Sequence, residues 1–127
     1  MVPDELRYTE QHTWAARTGD GTVRVGITDY AQVQFGEIVF VQLPEIGRKV
    51  TAGDTLSMVE STKAATDIYG PLSGEVVAVN YALRTAPETI NTEPYGDGWL
   101  VEIKLDDPES FTGLLDAPSY REKLAEG

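Results

Sequence analysis

Cysteine is absent from this chain of 127 residues, and histidine occurs only once. Without cysteine the protein has neither a disulfide nor a thiolate nucleophile, and a single histidine does not build a usual zinc site. Any thiol or redox chemistry must therefore come from a group that is attached to the chain.

Basic residues are scarce as well. The chain has 10 Lys and Arg against 21 Asp and Glu, which gives a formal net charge of -11 at pH 7. This charge argues against nucleic acid or an anionic bilayer as a partner and favours proteins with basic docking surfaces. No apolar run approaches the roughly 20 residues of a membrane span, and the first seven residues lack the pattern of a signal peptide. We expect a cytoplasmic protein without a membrane partner.

The rest of the composition is typical of a folded domain. Hydrophobic residues make up 41% of the chain, and 12 Gly and 7 Pro supply many turns, which predicts many short strands. At this length we expect one domain over residues 1–127. Residues 107–127 are expected to form a helical extension packed on it, because Asp107 and Pro108 suit a helix start and Tyr120 and Leu124 lie four residues apart.

Strand-forming residues recur along most of the chain. Extended segments are predicted at 7–9, 12–17, 22–27, 37–43, 49–50, 54–59, 74–79 and 99–105, and the whole stretch 68–79 is rich in strand formers. In the segment 99–105, Trp99 and Val101 belong to the set expected to face the core, while Leu100 belongs to the set expected to face outward.

Short helical segments interrupt the predicted strands. Thr28 or Asp29 is expected to cap a helix that ends at Gly36, with Tyr30 and Val33 on one face. Single helical turns are expected around residues 80–83 and 87–90.

The segment Gly36–Val41 echoes the segment Gly74–Val79, and Lys63 lies between the two copies. Two similar strand sets joined by a hairpin predict a mainly β sandwich or flattened barrel with quasi-twofold halves. A lysine at the tip of such a hairpin carries an amine that another enzyme can acylate. Position alone, however, is much more typical of an ordinary solvated lysine.

The motif around this lysine is more specific than its position. The segment Glu60–Val76 closely resembles the lipoylation segment of the glycine cleavage system H proteins. Residues 26–32, 36–44 and 91–100 and the helical tail resemble the same family in the same order, so the resemblance covers nearly all of the chain beyond residue 6. A biotinyl domain would have Met on each side of the modified lysine, where Thr62 and Ala64 stand here. The resemblance implies a sandwich or flattened barrel of the lipoyl/biotinyl type with short peripheral and C-terminal helices.

The resemblance also implies a function. Lys63 is expected to carry lipoate in amide linkage, and the protein is expected to be a carrier and not an enzyme. In this family the arm takes an aminomethyl group from a pyridoxal-phosphate-dependent glycine decarboxylase and presents it to an aminomethyltransferase. Dihydrolipoamide dehydrogenase then reoxidises the dithiol, and lipoate-attaching enzymes are further expected partners. The alternative is a lipoyl relay or regulatory module that passes lipoate to other complexes, which the motif does not distinguish from the carrier.

Carboxylates near the arm are expected to hold the cationic amine of its loaded form. Asp67 and Glu10 are the candidates, although each is also compatible with an ordinary surface carboxylate. The family pattern near the first strand is His-Glu-Trp, whereas Thr13 replaces the carboxylate here. Thr13 can still form a hydrogen bond to an ammonium group, but a weaker one. His12 is the fourth candidate for an arm contact, but it is interpreted first as a packing residue beside Trp14 on the same strand face, and not as a catalytic base.

Overall fold

The computed structural model describes residues 2–19 and 21–126 of the chain. The expected domain limits Met1 and Gly127 lie outside the described residues. The strands are β1 (Arg7–Tyr8), β2 (Thr13–Gly19), β3 (Thr22–Ile27), β4 (Ile38–Gln42), β5 (Lys49–Val50), β6 (Thr55–Ser61), β7 (Ala65–Tyr69), β8 (Gly74–Val79) and β9 (Val101–Leu105).

The strands form two antiparallel sheets of unequal size. The larger sheet has the order β1-β2-β3-β9-β8-β5, and the smaller has the order β4-β6-β7. The predicted mainly β sandwich is therefore confirmed, and the echoing strands β4 and β8 lie in different sheets. The last strand of the sequence, β9, lies in the interior of the larger sheet between β3 and β8.

Helices are short and lie at the periphery. They are α1 (Asp29–Phe35), α2 (Thr89–Thr92) and α3 (Ala117–Glu126), with 3-10 helices at Tyr81–Arg84 and Pro108–Gly113. Across residues 2–19 and 21–126, none of the helices has the length and apolar character needed to cross a membrane.

The predicted boundaries of α1 are confirmed, but its predicted face is wrong. Thr28 accepts a hydrogen bond from the Ala31 backbone N–H, and the chain leaves the helix at Gly36 with a φ of 82°. Val33, however, is 59% exposed, and Ala31 is the residue that faces the core. The prediction from apolar spacing was wrong because the small Ala31 allows close packing against the core. The Tyr30 ring instead packs on the ring of His12.

The strand-rich stretch 68–79 is divided between the two sheets. Its first part belongs to β7 and its last part to β8, and the buried Gly70-Pro71-Leu72 segment lies between them. Gly70 donates its N–H to Asp54 O, and Pro71 has no N–H for a ladder bond, so one strand cannot continue through this segment.

The outward orientation predicted for Leu100 is wrong. Leu100 is completely buried in the main core, and strand alternation begins only at Val101. Trp99 is partly buried, and the Arg24 guanidinium lies 4.5 Å from its ring centroid. The prediction from alternation was wrong because residues 99 and 100 precede β9. Leu100 donates its backbone N–H to Val25 O and accepts a hydrogen bond from the Asn80 N–H.

Two hydrophobic clusters stabilise the molecule. The main cluster contains inward-facing residues from both sheets. The second cluster joins the N-terminal segment to α3 and contains Leu6, Tyr8, Trp14, Ala117 and Tyr120. The rings of Tyr8 and Tyr120 stack with centroids 4.6 Å apart, and a bridge between Tyr8 and Leu115 precedes α3. The expected helix start at Asp107 is a capped 3-10 helix.

Candidate functional site

Lys63 lies at the tip of the turn that joins β6 to β7. The Ser61 hydroxyl accepts hydrogen bonds from the backbone N–H groups of Lys63 and Ala64, at 3.1 and 3.2 Å. The Ser61 N–H also donates to Ala64 O at 2.9 Å. One serine therefore fixes the backbone that carries Lys63, while the lysine side chain remains exposed.

The stem of Lys63 lies against the joint between α1 and β4. A β-carbon placed on Gly36 would lie 3.3 Å from Lys63 Cε and 3.6 Å from Cδ. Next to this contact, Thr62 N–H donates to Glu37 O at 3.1 Å. Glycine at position 36 thus satisfies a positive φ and also leaves room for the methylene groups of Lys63.

Asn91 fixes this joint from the side. Its amide nitrogen donates to Gly36 O at 2.8 Å and to Gln32 Oε1 at 2.9 Å, and its oxygen accepts from Ile38 N–H at 2.9 Å. Sequence reasoning missed Asn91 as a site residue. Its partners lie more than 50 residues away in the chain, and no local pattern marks such contacts.

Asp67 is exposed on β7, opposite Met58 of β6. It borders an open cavity of about 220 Å³ that Gln42, Arg48 and Met58 also line. Arg48 is held by the backbone, because it donates to Thr55 O at 2.7 Å. In the described part of the chain no ion pair involves Asp67 or Lys63.

Glu10 is engaged with the C-terminal helix. Its carboxylate lies 3.1 Å from Lys123 Nζ, and this contact raises the pKa of Lys123. Both side chains are well exposed, so the pair adds little to stability. The structure therefore places Glu10 beside α3 and pairs it with a lysine other than Lys63.

Thr13 and His12 are also engaged with neighbours. Thr13 is 1% exposed, and its hydroxyl lies 2.7 Å from that of Thr9. His12 lies one residue before β2 with a φ of 67°, and its Nδ1 lies 2.7 Å from the Tyr120 hydroxyl. Its ring packs on Tyr30. Burial lowers the pKa of His12 and raises the pKa of Tyr120 to about 12.

A sequence model of the family described as Glycine cleavage H-protein matches residues 6–127. The chain belongs to the glycine cleavage H-protein family.

Individual members of the family are similar over nearly their whole length. The Glycine cleavage system H protein of Chromohalobacter salexigens is 54% identical over 119 residues, which cover 94% of this chain and 91% of that protein. The Glycine cleavage system H protein of Idiomarina loihiensis is 50% identical over 125 residues, covering 98% and 97%. A crystal structure of a glycine cleavage system H protein from Mycobacterium marinum superimposes with a TM-score of 0.88 at 43% identity, covering 98% of this chain and 99% of that one.

Membership makes the protein a lipoyl-bearing carrier component of the glycine cleavage system and not an enzyme in itself. The residues around the hairpin fit such a prosthetic group. An amide-linked group needs an exposed primary amine on an ordered backbone, and Lys63 on its Ser61-bound turn has both. Since the chain has no cysteine, the group would supply all of the thiol chemistry.

Proposed function

We propose that this H-protein carries lipoate in amide linkage on Lys63 and moves an aminomethyl group from the glycine decarboxylase to the aminomethyltransferase. Reoxidation by dihydrolipoamide dehydrogenase completes the proposed cycle. The observation that carries the proposal is the exposed Lys63 at the tip of a turn that Ser61 holds in place. When bound, lipoate supplies two sulfurs that hold a one-carbon fragment and carry two electrons. The cytoplasmic location stays a prediction.

The chain itself contributes position and reach. Ser61 and Asn91 order the backbone on both sides of the Lys63 stem, while nothing in the described residues forms an ion pair with its amine. A tether on such a fixed base keeps the carried group near the surface at a high effective concentration for each partner. Acylation also removes the charge of the lysine, which favours contact between the arm and apolar surfaces.

Intact mass tests the attachment site. Protein incubated with lipoate, ATP and a lipoate ligase is expected to gain the mass of one lipoyl group, and Lys63→Ala is expected to gain none. Lys49→Ala is the matched control, because Lys49 is an exposed lysine on β5. Equal labelling of Lys63→Ala and wild type would refute the assignment.

The relay alternative shares the attachment chemistry and needs a separate assay. We expect the lipoylated protein to stimulate glycine-dependent carbon dioxide exchange by the decarboxylase. Fully lipoylated protein that fails to stimulate the exchange would favour the relay or regulatory role.

Among the four expected arm contacts, we propose Asp67 as the one that holds the loaded arm. Glu10 is paired with Lys123, His12 with Tyr120 and Thr13 with Thr9. Asp67 is exposed on the strand that leads away from Lys63 and borders an open cavity. A carboxylate in this position attracts an ammonium group at the end of an arm that lies along β7.

Neutralising Asp67 tests this proposal. We expect Asp67→Asn to release the aminomethyl group several-fold faster than wild type, because the ammonium loses a charged partner worth about 1 kcal/mol. Glu10→Gln is the control and is expected to release it at the wild-type rate. Matching rates for Asp67→Asn and wild type would leave Asp67 with a purely structural role.

A further inference from the structure

Two large hydrophobic side chains are exposed on β4, the strand beside the Lys63 hairpin. Val39 is 51% exposed and Phe40 is 49% exposed. Within the described residues β4 is an edge strand that pairs on one side only, with β6. Adjacent exposed hydrophobic residues at a sheet edge are unfavourable in water and indicate a surface that another molecule covers.

The strand pairing places these side chains next to the lysine. Phe40 lies opposite Glu60, three residues before Lys63, and Ile38 lies opposite Ser61. The contact between Gly36 and the Lys63 stem lies just before β4 in the chain. The exposed part of β4 is therefore continuous with the surface from which the Lys63 amine projects.

Acidic groups border the exposed pair. Glu37 and Glu60 are both exposed, and none of the ion pairs among residues 2–19 and 21–126 involves them. We refer to Glu37, Val39, Phe40 and Glu60 as the β4 face. A partner that fits it has an apolar depression with lysine or arginine at its rim.

A second copy of the chain fits this face poorly. Each copy carries a formal charge of -11, so two β4 faces would bring Glu37 and Glu60 against their own kind. Strand addition is also hindered, because the pairing register shifts between Ile38 and Phe40. The face thus offers side chains, and not a regular backbone ladder, to a partner of opposite charge.

We propose that the β4 face is the docking surface for the enzyme that joins the lipoyl group to Lys63. The inference rests on the proposed function of Lys63. Enzymes that act on the finished arm meet its far end, whereas the attaching enzyme must bring its active site to Lys63 Nζ itself. It therefore has to cover the surface immediately around the lysine, and the β4 face is the apolar part of that surface.

The transfer needs this proximity. The Lys63 nitrogen forms a bond to the carbonyl carbon of a lipoyl adenylate, the bond from that carbon to the phosphate oxygen breaks, and the nitrogen gives up a proton. Docking on β4 holds Lys63 and the acyl donor together, which replaces a bimolecular encounter by an oriented one.

Acylation kinetics test the docking surface. The rate of acylation by a purified lipoate ligase, in the presence of lipoate and ATP, is measured as the concentration of the unmodified protein is varied. The double variant Val39→Thr/Phe40→Thr removes apolar surface and places a β-branched side chain, which suits a strand, at both positions. We expect its kcat/KM to fall about tenfold, mainly through KM, as for the loss of an interface anchor. If the double variant unfolds, the single variant Phe40→Thr replaces it, and its kcat/KM is expected to fall about threefold.

Matched controls lie away from this face. Ile46→Thr changes a side chain that is 54% exposed in the loop beyond β4, and Val77→Thr changes one that is 37% exposed on β8. For both variants we expect a kcat/KM for acylation within about twofold of the wild-type value. Glu37→Gln/Glu60→Gln is expected to lower kcat/KM at low salt and to converge with wild type as salt screens the charges.

The possible failures are distinguishable. If folded Val39→Thr/Phe40→Thr is acylated at the wild-type kcat/KM while Lys63→Ala is not labelled, the docking surface is wrong and the proposed function stands. If Lys63→Ala is labelled like wild type, the proposed function itself fails. An equal fall for Ile46→Thr and Val77→Thr would also overturn the proposal, because the effect would not be local to β4.

Discussion

Position 36 places two separate requirements on its residue, and glycine is the amino acid that meets both. Its φ of 82° is a conformation that side chains with a β-carbon rarely adopt, and its missing side chain leaves room for the Lys63 stem. The two requirements can be separated, because Gly47 has a φ of 97° and nothing within 4 Å of a β-carbon placed there.

Substitution of Gly36 is expected to affect both stability and acylation. Gly36→Ala should lower the free energy of unfolding by about 1–2 kcal/mol, measured by urea denaturation, since alanine is strained at positive φ. It should also slow acylation of Lys63, since the new methyl group displaces the lysine stem. Gly47→Ala should show a similar loss of stability and a wild-type acylation rate. Equal acylation rates for the two variants would mean that the Gly36 contact does not position Lys63.

Single residues of the site differ in how far the sequence predicts them. Lys63 stands in a continuous motif, so its neighbours in the chain are enough to single it out as a candidate. Asn91 acts on Gly36 and Ile38 through hydrogen bonds that only the folded backbone creates. Glu10 was a reasonable candidate by charge, but its pairing with Lys123 depends on how α3 docks.

At the scale of elements, a chain of polar contacts holds α3 to the body. The Tyr120 hydroxyl lies 2.7 Å from His12 Nδ1 and 2.9 Å from the Thr28 hydroxyl, which also caps α1. The Glu10–Lys123 pair lies at the same junction of α3 with the body. Three segments that are distant in sequence therefore meet at one buried hydroxyl.

The packing of His12 in this junction predicts a pH dependence. Its folded-state pKa lies below the unfolded value of about 6.5, because burial disfavours the charged ring. Its contribution to stability is therefore fully present above about pH 6.5 and is lost as the pH falls through the folded-state pKa. Urea denaturation should show that the free energy of unfolding falls more between about pH 7.5 and pH 5 for wild type than for His12→Gln.

Tyr120→Phe is the control for this experiment. It keeps the ring that buries His12 but removes the hydroxyl, so we expect stability to fall by about 1 kcal/mol while the steep pH dependence remains. Identical pH dependence in wild type and His12→Gln would contradict a role for His12 titration.

Elements marked by local chemistry were predicted well. Thr28 and Gly36 delimit α1 because capping and positive φ are properties of single residues. The separate strand at 74–79 was predicted, whereas the burial of Leu100 was missed because it depends on how the larger sheet receives the chain. Alternation predicts the two faces of a strand, but it does not tell where pairing with β3 and β8 begins.

For the whole molecule, the excess of acidic residues is the dominant electrostatic feature. The ion pairs among the described residues join exposed or partly exposed side chains and are worth little individually. With a formal charge of -11, general repulsion in the compact state should outweigh them.

Salt should therefore stabilise this protein. Raising NaCl from about 0.01 M to 0.1 M shortens the Debye length from about 30 Å to about 10 Å. We expect the free energy of unfolding at pH 7 to rise by on the order of 1 kcal/mol. The gain should vanish near the isoelectric point of about 4.3, where the net charge is close to zero. A loss of stability at pH 7 would instead indicate that the ion pairs dominate.

The mainly β architecture followed from many short apolar segments and abundant turn residues, whereas the unequal sheets did not. We propose that the whole chain is one domain with residues 107–127 as an extension. The support is the second cluster, in which Ala117 and Tyr120 of α3 pack with Leu6, Tyr8 and Trp14.

The position of β9 in the interior of the larger sheet bears on how the protein is made. The smaller sheet, which carries Lys63, is built entirely from residues 38–69, so its strands can pair while translation continues. The larger sheet cannot join β3 to β8 until the ribosome has released residues 101–105. The topology therefore allows the nascent chain to form the Lys63 hairpin before the larger sheet is complete.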